Sequence, residues 1–202
     1  MLDNIIKGHS FSLLPLSSIW EIFSITEGNI LEIGCFEGRN LTDLSKQFPN
    51  RTIHGIDPFI SDGKVPDYGL NKIDGMKQTR RLLHENIAGL DNVRFHEMKT
   101  SDFMSKFSKK EIVDLDIGVC IIDGYHTKEM AMIDFQLAEI ALQLDDKKEN
   151  ATSKLLIIDD TSIPEIFEVF EYVNKKYEKI ITQVIHTFSE GIPFHSSVVR
   201  FW

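Results

Sequence analysis

Asp123, Asp159 and Asp160 are the side chains whose type and spacing point most directly to chemistry. Each follows a short apolar, β-prone run: IGVCII before Asp123 and KLLII before the Asp159-Asp160 pair. Each therefore falls at the carboxyl end of an expected parallel strand, the edge at which open α/β sheets bind ligands. If the two strands are neighbours they lie about 4.8 Å apart and the carboxylates converge. Three anions held together repel one another unless a cation lies between them. An all-oxygen set indicates a hard divalent ion, Mg²⁺ first, with Mn²⁺ or Ca²⁺ as alternatives. The competing reading is capping, since an aspartate after a strand commonly caps the next helix. Ser162-Ile163-Pro164-Glu165 reads as a capping box in its own right and would free the pair from that duty. His126 lies three residues past Asp123, at the start of a helical pattern. There the helix dipole would lower its pKa and favour the neutral imidazole a general base needs; a surface or capping histidine is the plain alternative. Asp123 and His126 are thus the catalytic candidates, and Asp123, Asp159 and Asp160 the metal candidates.

A second constellation lies upstream, in ILEIGCFEGRN from Ile30 to Asn40. An apolar strand runs into Glu32-x-Gly34-x-x-x-Gly38, and a helical pattern follows from Arg39. Gly34 allows backbone to approach a polar ligand closely, and Gly38 opens a helix whose first N–H groups face it. An ordinary strand-to-helix turn has the same residues. Asp57 ends the next strand, nineteen residues beyond Gly38, close to the ~20-residue interval at which nucleoside-binding βαβ units place an acid for ribose hydroxyls. A vicinal diol suits a carboxylate because both hydroxyls can donate to it; shaping an Asp-Pro turn is the alternative duty. Ser101 or Asp102, after the third strand, either touches a bound base or is a solvated turn residue.

The elements that must hold these residues follow from periodicity. Strands are expected at Thr52 to Ile56, Val93 to Met98, Ile117 to Asp123 and Lys154 to Ile158. Helices are expected after Gly38, from about Asp74 to Leu90, after Asp123-Gly124-Tyr125-His126 to about Leu144, and from near Pro164. Phe59 to Gly75, with Tyr68 near its middle, lacks periodicity and is a candidate substrate-side flap. Asp145 to Ser153 is a polar connector. Lys179 to Phe188 and Ser197 to Trp202 read as a closing hairpin. The alternation predicts an α/β, doubly wound, mostly parallel, Rossmann-like sheet with an antiparallel C-terminal hairpin strand. Residues 1–27 form an N-terminal helical extension with Leu16, Ile19, Trp20 and Phe23 at helical spacing, covering an edge of the core or acting as a partial lid. Residues 28–202 form the ligand-binding domain.

At 202 residues the chain is long enough for one domain with a sizeable core, and 42% hydrophobic with 26% charged residues is a globular composition. A net charge of -9 argues against nucleic acid and anionic membranes as partners. No apolar run is long enough to span a bilayer, and the N-terminal stretch lacks the apolar segment of a secretory signal. Cys35 and Cys120 read as reduced thiols of a cytoplasmic protein. With two isolated cysteines, no zinc set is present. His54, His96 and His186 lie within expected strands and read as structural.

In this order the motifs resemble those of the class I S-adenosylmethionine-dependent methyltransferases over nearly the whole chain after the extension. ILEIGCFEGRN looks like their first motif, HGIDPF like the acidic second, IIDGYH like the fourth-strand motif and LLIIDD like the fifth. The hairpin matches that fold's reversed last strand. Within the class, Asp-Gly-x-His and the Asp-Asp pair look like the metal-dependent sugar O-methyltransferases of the macrocin type and their cephalosporin-hydroxylase-like relatives. The resemblance implies that Glu32, Gly34, Gly38 and Asp57 contact S-adenosylmethionine and that Asp123, Asp159 and Asp160 hold the ion; Ser101 is the base-side cofactor candidate. Phe36 departs from the middle glycine of many members. The implied reaction is O-methylation of a small polyhydroxylated acceptor, a sugar or glycoside. An Asn/Asp-Pro-Pro-aromatic run, expected for nucleic-acid amino methylation, does not follow the fourth strand. A homodimer is a reasonable arrangement, because the short extension alone need not close the pocket. Two rivals stand beside this reading. One is an NAD-dependent oxidoreductase, which the glycine turn and Asp57 also fit without explaining the aspartates. The other is a non-catalytic S-adenosylmethionine-binding module.

Overall fold

The computed structural model describes residues 23–59, 72–144, 153–177, 181–189 and 192–201. The N-terminal helical pattern before Phe23, the flap around Tyr68 and nearly all of the polar connector lie outside the described residues. Seven strands form one sheet: β1 (Asn29–Ile33), β2 (Ile53–Ile56), β3 (Val93–His96), β4 (Ile117–Ile122), β5 (Lys154–Ile158), β6 (Ile181–Ser189) and β7 (Ile192–Phe201). Their order is β3-β2-β1-β4-β5-β7-β6. β1 to β5 are mutually parallel, and β7 lies antiparallel between β5 and β6. This is the doubly wound, mostly parallel sheet the alternation of elements calls for.

The central strands are largely apolar because both of their faces are covered, with Glu32 of β1 the buried exception. Along β4, Val119 and Ile121 enter one core, and Cys120 and Ile122 the other. Leu41 and Leu44 of α1 (Arg39–Gln47) and Leu83 of α2 (Lys72–Ile87) cover the first face. The second face is covered by α3 (Thr100–Lys106), α4 (Lys109–Val113), α5 (Lys128–Ala141) and α6 (Pro164–Lys176), through Phe103, Ile112, Phe135, Leu137, Val169 and Val173. No helix among the described residues is long and apolar enough to cross a membrane.

Two local expectations are corrected. The segment after β3 is helical from Thr100, where the sequence suggested turn residues, because Phe103 is buried on the sheet and a second helix follows at once. That second helix has a complete capping box between Ser108 and Glu111. The capping box expected at Ser162 is not formed. The N-cap of α6 is Ile163, and no side chain caps it. Pro164 occupies the first helical position, so the start moves one residue past Ser162.

Strand order reverses between β1 and β4, which opens a crevice at the carboxyl ends of those strands. Register carries the pairing one residue beyond the strands. Gly34 N–H donates to Ile56 O at 2.9 Å, Asp123 N–H to Ile33 O at 2.8 Å, and Asp159 N–H to Ile122 O at 2.9 Å. Gly34, Asp123 and Asp159 therefore stand in one row along the mouth of the crevice.

On the second face, His54 of β2 and His96 of β3 stack with ring centroids 5.9 Å apart, and Phe103 meets His96 edge-on. Burial pushes both imidazoles below their usual range, His54 to about 4. The folded chain then binds fewer protons than the unfolded chain between pH 6.5 and about 4. The stability this adds is complete above pH 6.5 and is lost as pH falls through 4. We expect parent and His54→Gln to diverge in this window, the parent losing roughly 2–3 kcal/mol relative to the variant between pH 7 and pH 4. Urea melts at several pH values check it; a pH-independent difference would show that His54 does not titrate on unfolding.

Candidate active site

The glycine turn is built around two close approaches. Gly34 has φ of 87°, and a Cβ there would lie 2.0 Å from the carbonyl oxygen of Asp123. Backbone thus meets backbone across the switch point, which is why no side chain fits. Gly38 is the N-cap of α1 with φ of 74°. Between them Phe36 also takes a left-handed conformation, φ 45°, with its side chain 41% exposed. This is the position at which many members of the resembled family have glycine. The turn is held from β2: Asp57 Oδ2 accepts from the backbone N–H groups of Cys35 at 2.9 Å and Phe36 at 3.0 Å, and Oδ1 accepts from Phe59 N–H at 2.8 Å. Burial raises the Asp57 carboxyl, and those amides oppose the rise. Asp57 therefore does shape the turn. Its Oδ1 keeps capacity for a further donor.

Glu32 and Asn40 face each other across the base of this turn. Both are buried, and Asn40 Nδ2 donates to Glu32 Oε1 at 2.9 Å. The remaining acceptors, Glu32 Oε2 and Asn40 Oδ1, are buried without a hydrogen-bond partner. Desolvation, reinforced by the nearby charges of Asp123, Asp57 and Asp159 and opposed by the Asn40 bond, pushes the Glu32 carboxyl up to about 8. Two orphaned acceptors with acids nearby fit a cationic hydrogen-bond donor, as the amino acid ammonium of S-adenosylmethionine would be. Asn40 was not singled out in the sequence. Its signal is its place in the first turn of a helix that opens beside a strand acid.

At the ends of β4 and β5, the side chains that converge are Asp123, His126 and Asp160. One ligand-capable atom from each lies within 4.8 Å of the others. His126 Nε2 is 2.9 Å from Asp160 Oδ2 and 3.9 Å from Asp123 Oδ1. The nitrogen is buried and out of line for a hydrogen bond. Asp160 turns inward because its backbone is left-handed, φ 52°. Asp159 is not in this close group. Its Oδ1 accepts from Asp160 N–H at 2.8 Å, and its charge raises the Glu32 carboxyl. Of the three aspartates expected together, two meet, and a histidine completes the group. Two carboxylates and an imidazole fit a divalent cation, with the nitrogen favouring Mn²⁺ or a later metal over Mg²⁺.

Thr127, not His126, is the N-cap of α5, its hydroxyl accepting from Met130 N–H. Without an ion, the acids at Asp123 and Asp160 push the His126 imidazole's pKa up to about 10. Burial raises the Asp123 carboxyl despite that pairing. A cation on those carboxylates would take over their charge, and an imidazole ligates in its neutral form. Ser101 lies in the first turn of α3, partly exposed, its carbonyl accepting from Ser105 Oγ at 2.8 Å.

No protein-family model matches the chain, and no curated protein matches it. Solved structures do. The O-methyltransferase TomG from Streptomyces achromogenes, involved in tomaymycin synthesis and solved in complex with S-adenosylmethionine, superposes with a TM-score of 0.62 at 11% identity, over 94% of this chain and 80% of its own. CalS11, a TDP-rhamnose 3'-O-methyltransferase of calicheamicin biosynthesis, gives 0.57 at 14%, over 93% and 78%. An rRNA methylase from Streptococcus thermophilus gives 0.52 at 12%, over 94% and 98%. What is shared at such identities is architecture. The chain has the fold of the class I S-adenosylmethionine-dependent methyltransferases, the family its motifs resemble.

Proposed function

We propose that this chain is an S-adenosylmethionine-dependent O-methyltransferase that works with a divalent cation on a hydroxyl of a small polyhydroxylated acceptor, a sugar or glycoside. The observation that carries the reading is the pair of orphaned buried acceptors, Glu32 Oε2 and Asn40 Oδ1, behind a glycine turn at the switch point. They would receive the cofactor's ammonium, while Asp57 Oδ1 would receive a ribose hydroxyl and Gly34 and Gly38 keep backbone close. S-adenosylmethionine supplies a methyl already activated as a sulfonium, so the protein's work is alignment and exposure of a nucleophilic oxygen. Asp123, His126 and Asp160 would hold the cation, with Asp159 between that group and Glu32. Such an ion acts as a Lewis acid that lowers the pKa of a coordinated hydroxyl. The acceptor class follows from two carboxylates and an imidazole at the mouth and from the acidic net charge of -9, which disfavours a polyanion. TDP-rhamnose is the acceptor in the name of one structural neighbour. The buried thiols Cys35 and Cys120 suit a cytoplasmic location, with residues 28–202 as the catalytic domain, in a homodimer.

Calorimetry with S-adenosylhomocysteine and with NAD, then methyl transfer from labelled cofactor to a sugar panel with Mg²⁺ or Mn²⁺, tests the reading. Preference for NAD would overturn it. So would cofactor binding without transfer to any hydroxyl compound.

Glu32→Gln makes a two-sided test. The Glu32 carboxyl titrates near 4.5 unfolded and about 8 folded, so the stability it adds is full below pH 4.5 and lost as pH rises through 8. The amide removes that slope. We expect the ligand-free variant to be more stable than the parent by roughly 1–3 kcal/mol at pH 8, and to bind S-adenosylhomocysteine at least about tenfold more weakly. Melts with and without ligand check both signs. Because the His54 slope runs the other way over pH 4.5–6.5, each is read as the difference between parent and its own variant.

A further inference from the structure

The turn that carries Asp123 and His126 rests on a buried acid that neither constellation uses. Asp134, on the inner face of α5, is 3% exposed, and its Oδ1 accepts from Thr100 Oγ at 2.6 Å. Thr100 is itself 5% exposed and opens α3, the helix that follows β3. The other carboxylate oxygen faces the turn: a Cβ built on Gly124 would lie 2.5 Å from Asp134 Oδ2. Gly124 has no side chain because the acid occupies that space. Beneath the turn is a small pocket lined by Asp123, Tyr125, His126, Ala131, Asp134 and Asp159. Asp134 therefore lies under the one segment whose height above the sheet sets the separation of Asp123 and His126 from Asp160. A buried carboxylate bridged to a second helix is a firm support, since the Thr100 hydroxyl holds its rotamer.

We propose that Asp134, braced by Thr100, is the positioning residue for the turn from Asp123 to His126, and so for the cation-binding group; the second clause rests on the metal reading given above. Two independent segments meet at this bridge, 34 positions apart in the chain. Losing the Thr100 hydroxyl leaves the acid in place and frees its rotamer.

The test uses the full chain with Thr100→Val, Asp134→Ala and the conservative Thr100→Ser. Backbone hydrogen exchange is followed at residues 123–127 and, as an internal reference, at 34–38. Mn²⁺ and S-adenosylhomocysteine are titrated separately into the ligand-free protein. We expect exchange at 123–127 at least tenfold faster in Thr100→Val and Asp134→Ala, exchange at 34–38 within twofold of the parent, and parental behaviour in Thr100→Ser. The Mn²⁺ Kd should rise at least tenfold and the S-adenosylhomocysteine Kd stay within twofold. Thr100→Val keeps its shape and carries the test if Asp134→Ala does not fold. Unchanged exchange at 123–127 in folded Thr100→Val overturns the proposal, and so does equal acceleration of both segments, which would mean general loosening. If the parent binds no Mn²⁺, the metal reading alone falls, and exchange still decides whether Asp134 holds the turn.

Discussion

Gly34→Ala is expected to cost at least about 3 kcal/mol of stability and to remove measurable cofactor binding. Two costs combine. The residue has φ of 87°, where an alanine methyl crowds the following carbonyl, a penalty of about 1–2 kcal/mol. The methyl would also stand 2.0 Å from Asp123 O, 2.4 Å from Asp123 C and 2.7 Å from Gly124 Cα. All three are main-chain atoms held by β-pairing, so relief requires β1 and β4 to part at their carboxyl ends. Overpacking a rigid site costs about 1–3 kcal/mol or more, a large share of the ~5–15 kcal/mol that holds a domain folded. Gly38→Ala makes the contrast. Its methyl would meet Leu83 Cγ at 3.0 Å and Ile87 Cγ2 at 3.4 Å, side-chain atoms that can give, so a loss of about 1–2 kcal/mol is expected from its backbone conformation. Urea denaturation and S-adenosylhomocysteine calorimetry measure both. A Gly34→Ala protein within 1 kcal/mol of the parent would mean that the seam between the strands is loose.

The second large effect is expected at Asp160. Asp160→Asn and Asp123→Asn should each lower methyl transfer by about a thousandfold, the scale of several kcal/mol of lost Lewis-acid stabilisation, and weaken Mn²⁺ binding in parallel. Affinity for S-adenosylhomocysteine should stay within about threefold for Asp160→Asn, whose charge is not among those acting on Glu32. Asp159→Asn should be milder for Mn²⁺, because Asp159 lies outside the close group. The order Asp160 before Asp159 in Mn²⁺ affinity is the decisive outcome. The reverse order would restore the three-aspartate arrangement that the sequence alone suggests.

That ordering marks where sequence reading stops. Strands were legible because buried parallel strands are continuous apolar runs, and the glycine turn because its backbone needs exclude other residues. Which of two consecutive aspartates joins Asp123 and His126 is a matter of local backbone and rotamer geometry, here with Asp160 at φ 52°, and two adjacent aspartates in a sequence do not distinguish it. The surroundings of His126 were illegible for a related reason: the acids beside it come from two strand ends, and only Asp123 is near it in the sequence. Ser162 resembled a cap until Pro164 shifted the helix by a residue. Thr100 and Asp134 stayed invisible because a bond between positions so distant leaves no periodicity. The capping box at Ser108 and Glu111 is legible in the sequence, but the helix it opens is only five residues long and shows too little periodicity to stand out.

The close approach of Gly34 to Asp123 divides the crevice into two parts. Residues proposed to receive the donor sit on β1, β2 and the first turn of α1; those proposed to face the acceptor sit after β4 and β5. Between them runs a seam where backbone meets backbone, Gly34 against Asp123 and Gly124. What crosses that seam is charge: Asp123 and Asp159 on one flank raise the Glu32 carboxyl on the other. Neutralising either acid therefore reaches the donor flank through its field, without moving an atom there.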